Sequence, residues 1–156
     1  MASEHPCSPP AVVSRMKGNE MKYMFDLKVD IEARDKIIFS DGYVPEAYRR
    51  HGGSRSFEGV TLEQLQALQE QGFLDPEECQ NDSPSIAEFM EYMKSHEGFT
   101  AHGYAISADR EDYRVSIEGL QKLGDVTRED LIDFVNAFRW ADELTCKDDE
   151  LFCWYD

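Results

Sequence analysis

Basic residues are scarce in this sequence. Lys and Arg number 16 against 32 Asp and Glu, a formal net charge of −16 over 156 residues. Phosphate contacts need clustered Lys and Arg, so this balance argues against direct nucleic-acid binding. It argues equally against docking on an anionic lipid surface. Long apolar runs are missing as well: no stretch approaches the ~18 residues of a membrane-spanning helix. Pro6, Pro9 and Pro10 interrupt the first residues, which show no apolar stretch of a signal peptide. Close cysteine pairs are absent. Cys7, Cys79, Cys146 and Cys153 are spaced by 72, 67 and 7 residues and none forms C-x-x-C, so their spacing offers no zinc site. The expectation is free thiols in a reducing cytoplasm, with a Cys146–Cys153 bridge only if the end of the chain folds back.

Several catalytic signatures are also lacking. There is no G-x-S-x-G elbow, no H-E-x-x-H and no G-x-x-x-x-G-K-[ST] loop. The acidic clusters lack the D-x-[DN]-x-[DN]-G spacing of a calcium loop. His96 and His102 flank a Gly-containing bend where Glu97 could complete a metal site, but His102 on an alternating run reads as an ordinary sheet residue. The chain therefore reads as non-enzymatic, with no metal and no cofactor.

What is present suffices for a folded domain. Hydrophobic residues make up 41% and aromatics 12%, too rich for an acidic disordered chain. Residues 1–18 read as a disordered tail of Ser, Pro and small residues, and residues 19–156 as one domain. Tyr23, Phe25, Leu27, Val29 and Ile31 alternate with polar residues, which predicts a strand over 22–31. Lys36–Phe39 predicts a second short strand, and 48–57 a loop. Thr61 with Gln64 three residues on predicts a capped helix that ends at Gly72. A second helix is expected after Ser83, with Pro84 at its first position. Residues 100–107 and 113–118 alternate and predict a hairpin. Thr127 with Asp130 caps a third helix, and Leu151–Tyr155 predicts a closing strand. The expected class is α+β: a mostly antiparallel sheet of about four to five strands with three helices packed on one face.

The charge has a location. Residues 1–60 contain nine basic and nine acidic residues, whereas residues 61–156 contain seven basic and 23 acidic. On a helix, Glu63 and Glu70 lie roughly 10 Å apart along one face, and Glu88 and Glu91 are i, i+3 neighbours. Asp109, Glu111 and Asp112 cluster in the expected hairpin loop, and Asp148, Asp149 and Glu150 in a turn. Trp154 beside this last cluster is a candidate contact for a basic partner. Most of the terminal aromatics, Phe152, Trp154 and Tyr155 with Trp140, are expected in the core. Such rows of carboxylates can imitate the field of a nucleic acid and occupy a phosphate-binding groove.

In charge profile and size the chain resembles acidic inhibitors of phages and plasmids that mimic DNA, among them anti-restriction and anti-CRISPR proteins, and immunity proteins that neutralise nucleases. That resemblance implies a basic nucleic-acid-binding protein or nuclease as partner. Two rival readings stand beside it. Arg49, Arg50, His51 and Arg55 gather around Gly52 and Gly53 and could bind an anion, in a small binding domain or enzyme. The acidity could also be a solvated face of an ordinary cytoplasmic domain. A homodimer would lengthen the acidic surface, though nothing in the sequence requires one.

Overall fold

The structure, a computed structural model, describes residues 26–156. The expected tail and residues 22–25 of the first predicted strand lie outside the described residues. The rest of that strand is not formed. Residues 26–30 are irregular, and Asp30 caps helix α1, Ile31–Ile38, by accepting from the Ala33 amide at 3.1 Å. The reason is visible in α1 itself. Its buried residues are Arg34, Asp35 and Ile38, so two charged residues occupy the inward face and hide the helical period from a hydropathy reading. The predicted strand at 36–39 is the last turn of this helix and its C-cap.

A short helix, α2, spans Pro45–Arg49 with proline in its first turn. Strand β1, Ser54–Val60, then takes the place of the last four residues of the predicted loop. Its signal was weak because a bulge falls between Phe57 and Val60, with Gly59 at φ +70°. The bulge turns Phe57 and Val60 inward instead of alternate residues. Helix α3, Leu62–Glu70, starts at Thr61 with the expected capping box. Helix α4, Ile86–Ser95, starts two residues later than expected. Ser85 and Glu88 form its capping box, while the buried Ser83 accepts from the Gln80 amide at 2.8 Å and donates to the Pro84 carbonyl at 2.9 Å.

Strands β2, Thr100–Ile106, and β3, Val115–Leu123, form the predicted hairpin. Helix α5, Arg128–Phe138, carries the Thr127–Asp130 capping box. Strand β4, Glu143–Lys147, was not foreseen, and it is mostly exposed. It pairs with β5, Glu150–Trp154, through the two-residue turn Asp148-Asp149.

The sheet is antiparallel throughout, in the order β1-β2-β3-β5-β4. The class is α+β as expected, with five helices among the described residues instead of three. One sheet face supplies Phe57, Ala101, Ala105, Val115, Ile117, Leu120, Leu151 and Cys153 to the core. Against them pack Ile38 of α1, Leu65 and Leu68 of α3, Phe89 and Met93 of α4, and Phe134 and Phe138 of α5. The alternate strand residues, among them His102, Tyr104, Ser116, Phe152 and Trp154, belong to the opposite face and take no part in this core.

Candidate functional site

The predicted acidic contacts do not converge on one place. Glu63 and Glu70 are exposed on α3, and Glu88 and Glu91 are exposed on α4, the two helices being neighbours in the helical layer. Asp109, Glu111 and Asp112 lie in the loop before β3, and Asp148 and Asp149 in the turn beside its other end. The nine residues of β3 separate these clusters by about 26 Å. Several of these carboxylates also have duties within the chain. Glu88 accepts from the Ser85 amide at 2.9 Å. Glu91 faces Lys94 at 3.8 Å, and Glu150 faces Lys147 at 3.8 Å and Gln121 at 3.0 Å. Asp109 accepts from the Ser107 hydroxyl, which holds its carboxyl below the usual range. Asp112 is clamped by Arg110 at 2.6 Å and Arg114 at 3.2 Å. Glu63, Glu70, Glu111, Asp148 and Asp149 have no ion-pair partner among the described residues.

The basic loop is built around Arg55. Its guanidinium lies over the Phe39 ring at 3.6 Å and donates to the Gly42 carbonyl at 2.8 Å and to Asp41 at 2.7 Å. The hydrogen bond from Arg55 lowers the Asp41 carboxyl from its ordinary value. Arg49 is paired with Glu46 at 2.6 Å. Arg50 and His51 remain, and with Ala47, Ser54, Arg55 and Ser56 they line a recess of about 330 Å³. A second recess of about 570 Å³, lined by residues 38–41 and 55–58, shares Arg55 and Ser56 with the first. Arg49 lines neither. The four residues read as one anion site are therefore divided: two neutralised by the chain's own carboxylates, two at a shallow surface. No group of His, Cys, Asp and Glu that could hold a metal exists among the described residues.

A fully buried polar cluster lay beyond sequence reasoning. Arg34 and Asp35 are both 0% exposed. Arg34 donates through Nε to Asp35 at 3.0 Å, through one terminal nitrogen to the Ile106 carbonyl at 2.8 Å, and through the other to Tyr48 Oη at 2.8 Å. Tyr48 donates to the second Asp35 oxygen at 2.6 Å, and burial with that bond raises its phenol above the ordinary value. The Tyr113 ring covers Arg34 at 4.9 Å. The polar groups of Arg34, Asp35 and Tyr48 satisfy one another, and the cluster ties α1, α2, the end of β2 and the β2–β3 loop together. Only the adjacent pair of opposite charges on α1 signalled it.

The second omission is the sheet face opposite the helices. His102 stacks on Phe152 with ring centroids 4.8 Å apart, and its Nε2 meets the Cys153 carbonyl at 2.9 Å. Trp154 stands two residues further along the same strand, and its indole donates to Glu118, whose carboxyl burial raises. The aromatic terminus divides by strand parity. Tyr155 is in the core, Phe152 and Trp154 are half-buried on the other face, and Trp140 is 69% exposed. The expectation that the group is mainly core is thus met only by Tyr155.

The cysteines also divide. Cys79 is disulfide-bonded, against the expectation of a free thiol, because spacing along a chain carries no information on spatial pairing. Cys146 and Cys153 are free. Register places each opposite a leucine, Leu151 and Leu144, so they stand diagonally on the hairpin and are not bridged. Cys7 lies outside the described residues. No helix among the described residues is long and apolar enough to cross a membrane.

No protein-family model matches the chain, and comparisons with curated proteins and with solved structures return no match.

Proposed function

We propose that this protein is a non-enzymatic binder that engages a basic, nucleic-acid-handling protein and competes for its phosphate-binding surface. The observation that carries the reading is the set of exposed carboxylates without ion-pair partners among the described residues, Glu63 and Glu70 on α3 above all. Both project from one rigid helix, spaced by about 10 Å. Unpaired charges of one sign repel one another and lower stability. A basic partner relieves that repulsion and is steered toward it. The clusters about 26 Å apart along β3 suit a partner with an extended basic groove better than one with a compact pocket. Nuclease inhibition, restriction inhibition and CRISPR inhibition are the members of this class to test first.

Cytoplasmic residence belongs to the same proposal. The Cys79 disulfide weighs against it, since disulfides persist in oxidising compartments.

The test is capture of a purified nuclease or DNA-binding protein at 50 and 500 mM salt. Capture that weakens steeply with salt, and that fails with Glu63→Lys plus Glu70→Lys, supports the reading. Capture unchanged by both interventions sinks it. The recess at Arg50 and His51 supports a second reading, anion binding. Inorganic phosphate or pyrophosphate that shifts the His51 ring resonances at millimolar concentration would favour it.

A further inference from the structure

We propose that the sheet face opposite the helices is the docking surface for an arginine-bearing segment of a basic partner protein. This rests on the reading that the chain binds such a protein, and it names where the contact forms and by what chemistry.

The face carries three aromatic rings on rigid strands: His102 from β2, and Phe152 and Trp154 from β5. His102 and Phe152 lie parallel to within 7° and stacked, their centroids 4.8 Å apart, so they form one aromatic block on the sheet. Leu123, 68% exposed at the end of β3, adds apolar surface to the same face. Register and alternation place one carboxylate from each of four strands around these rings: Glu58 of β1, Glu118 of β3, Glu143 of β4 and Glu150 of β5. Only Glu150 has a cation, Lys147. Glu58, Glu118 and Glu143 have no ion-pair partner among the described residues.

This combination selects its occupant. Aromatic rings on an open antiparallel sheet suit the stacking of nucleic-acid bases. Here the surrounding carboxylates would repel the phosphates that every base brings with it. A guanidinium satisfies both features at once, since its plane stacks on a ring while its N–H groups reach a carboxylate. An ammonium offers the charge without the plane. The same face already holds one guanidinium in this manner: Arg114 lies over the Tyr104 ring at 5.4 Å and reaches Glu78 at 3.3 Å.

The experiment uses the full chain carrying Trp140→Phe, which leaves Trp154 as its sole tryptophan. Nona-arginine, nona-lysine and a single-stranded oligonucleotide are titrated at 0.1 M salt, with Trp154 emission and calorimetry read in parallel. Expected is a saturable change in Trp154 emission with nona-arginine, which binds roughly tenfold more tightly than nona-lysine. Phe152→Ala should remove most of that preference. Glu58→Lys with Glu143→Lys, both at exposed positions, should weaken nona-arginine binding about as much and guards against misfolding of the Phe152 variant. Equal affinity for the two peptides overturns the proposal, as does oligonucleotide binding that alters Trp154. If nona-arginine binds by calorimetry but leaves Trp154 unchanged and is lost with Glu63→Lys plus Glu70→Lys, this docking face is wrong while the basic-partner reading stands. If neither peptide binds, both fall.

Discussion

His102 reaches across β3 to the Cys153 carbonyl on β5, 51 residues away, at 2.9 Å. A carbonyl only accepts, so Nε2 carries the proton and donates. The reach exists because Gly119, its cross-strand partner, has no side chain. A Cβ there would stand 1.8 Å from the Cys153 oxygen and 2.8 Å from His102 Nε2. Gly119→Ala should therefore cost about 3 kcal/mol, the upper range for overpacking. A urea midpoint within error of the wild type would refute the contact.

The same residue has a pH signature. Burial lowers the His102 pKa below the ordinary 6.5, opposed by its bond to Cys153 and by the charge of Glu58. Below pH 6.5 the unfolded chain binds a proton that the folded chain refuses. The stabilising contribution is thus complete above 6.5 and is lost as pH falls from there through the folded value. His102→Gln should flatten the stability profile in that window. Nuclear magnetic resonance of the His102 ring should give a titration midpoint below 6.5, and a ring half-charged at pH 6.5 would contradict the assignment.

The Arg34–Asp35 pair should behave as a buried ion pair. Asp35→Ala strands a guanidinium without solvent and should cost about 3–5 kcal/mol. Replacing both, Arg34→Met with Asp35→Leu, should cost clearly less than Asp35→Ala alone. Denaturation of the two variants beside the wild type decides the matter. A double variant as weak as the single one would mean that the bonds to Ile106 and Tyr48, not the charges, dominate.

Charge reversal on the helices separates binding from stability. Glu63 and Glu70 make no side-chain contact that reversal would break, so Glu63→Lys plus Glu70→Lys should leave the thermal midpoint nearly unchanged while reducing capture of a basic partner. Glu88→Lys removes half of a capping box and should lose about 1 kcal/mol in addition. Thermal scans beside binding curves read both effects, and equal destabilisation by all three reversals would show that the box contributes nothing.

Thiol labelling tests the edge hairpin. Cys146 is half-buried and Cys153 fully buried, and burial pushes the Cys153 thiol up to about 12. Iodoacetamide at pH 8 should modify Cys146 first, with Cys153 reacting only in denaturant. Mass spectrometry of the peptides resolves the order, and early labelling of Cys153 would show that β4 leaves the sheet.

How far the sequence could be read follows a physical line. Thr61–Gln64 and Thr127–Asp130 were legible because a capping box is local: both partners lie within one turn. The β2–β3 hairpin was legible because its alternation is nearly unbroken. Helix α1 was not, since its inward face holds Arg34 and Asp35, whose partners come from Tyr48 and Ile106, up to 72 residues away. Strands β1 and β4 lie at the sheet edges, where only one side is paired and hydropathy says little.

The candidate sites divide in the same way. Sequence alone determined that the excess acidity lies in residues 61–156, because charge count needs no coordinates. Only the tertiary structure decided which carboxylates are already engaged, that Arg49 and Arg55 are neutralised within the chain, and that His102, Phe152 and Trp154 share one open face. Those outcomes depend on register between strands far apart in sequence. A shift of one residue would turn the same rings into the core.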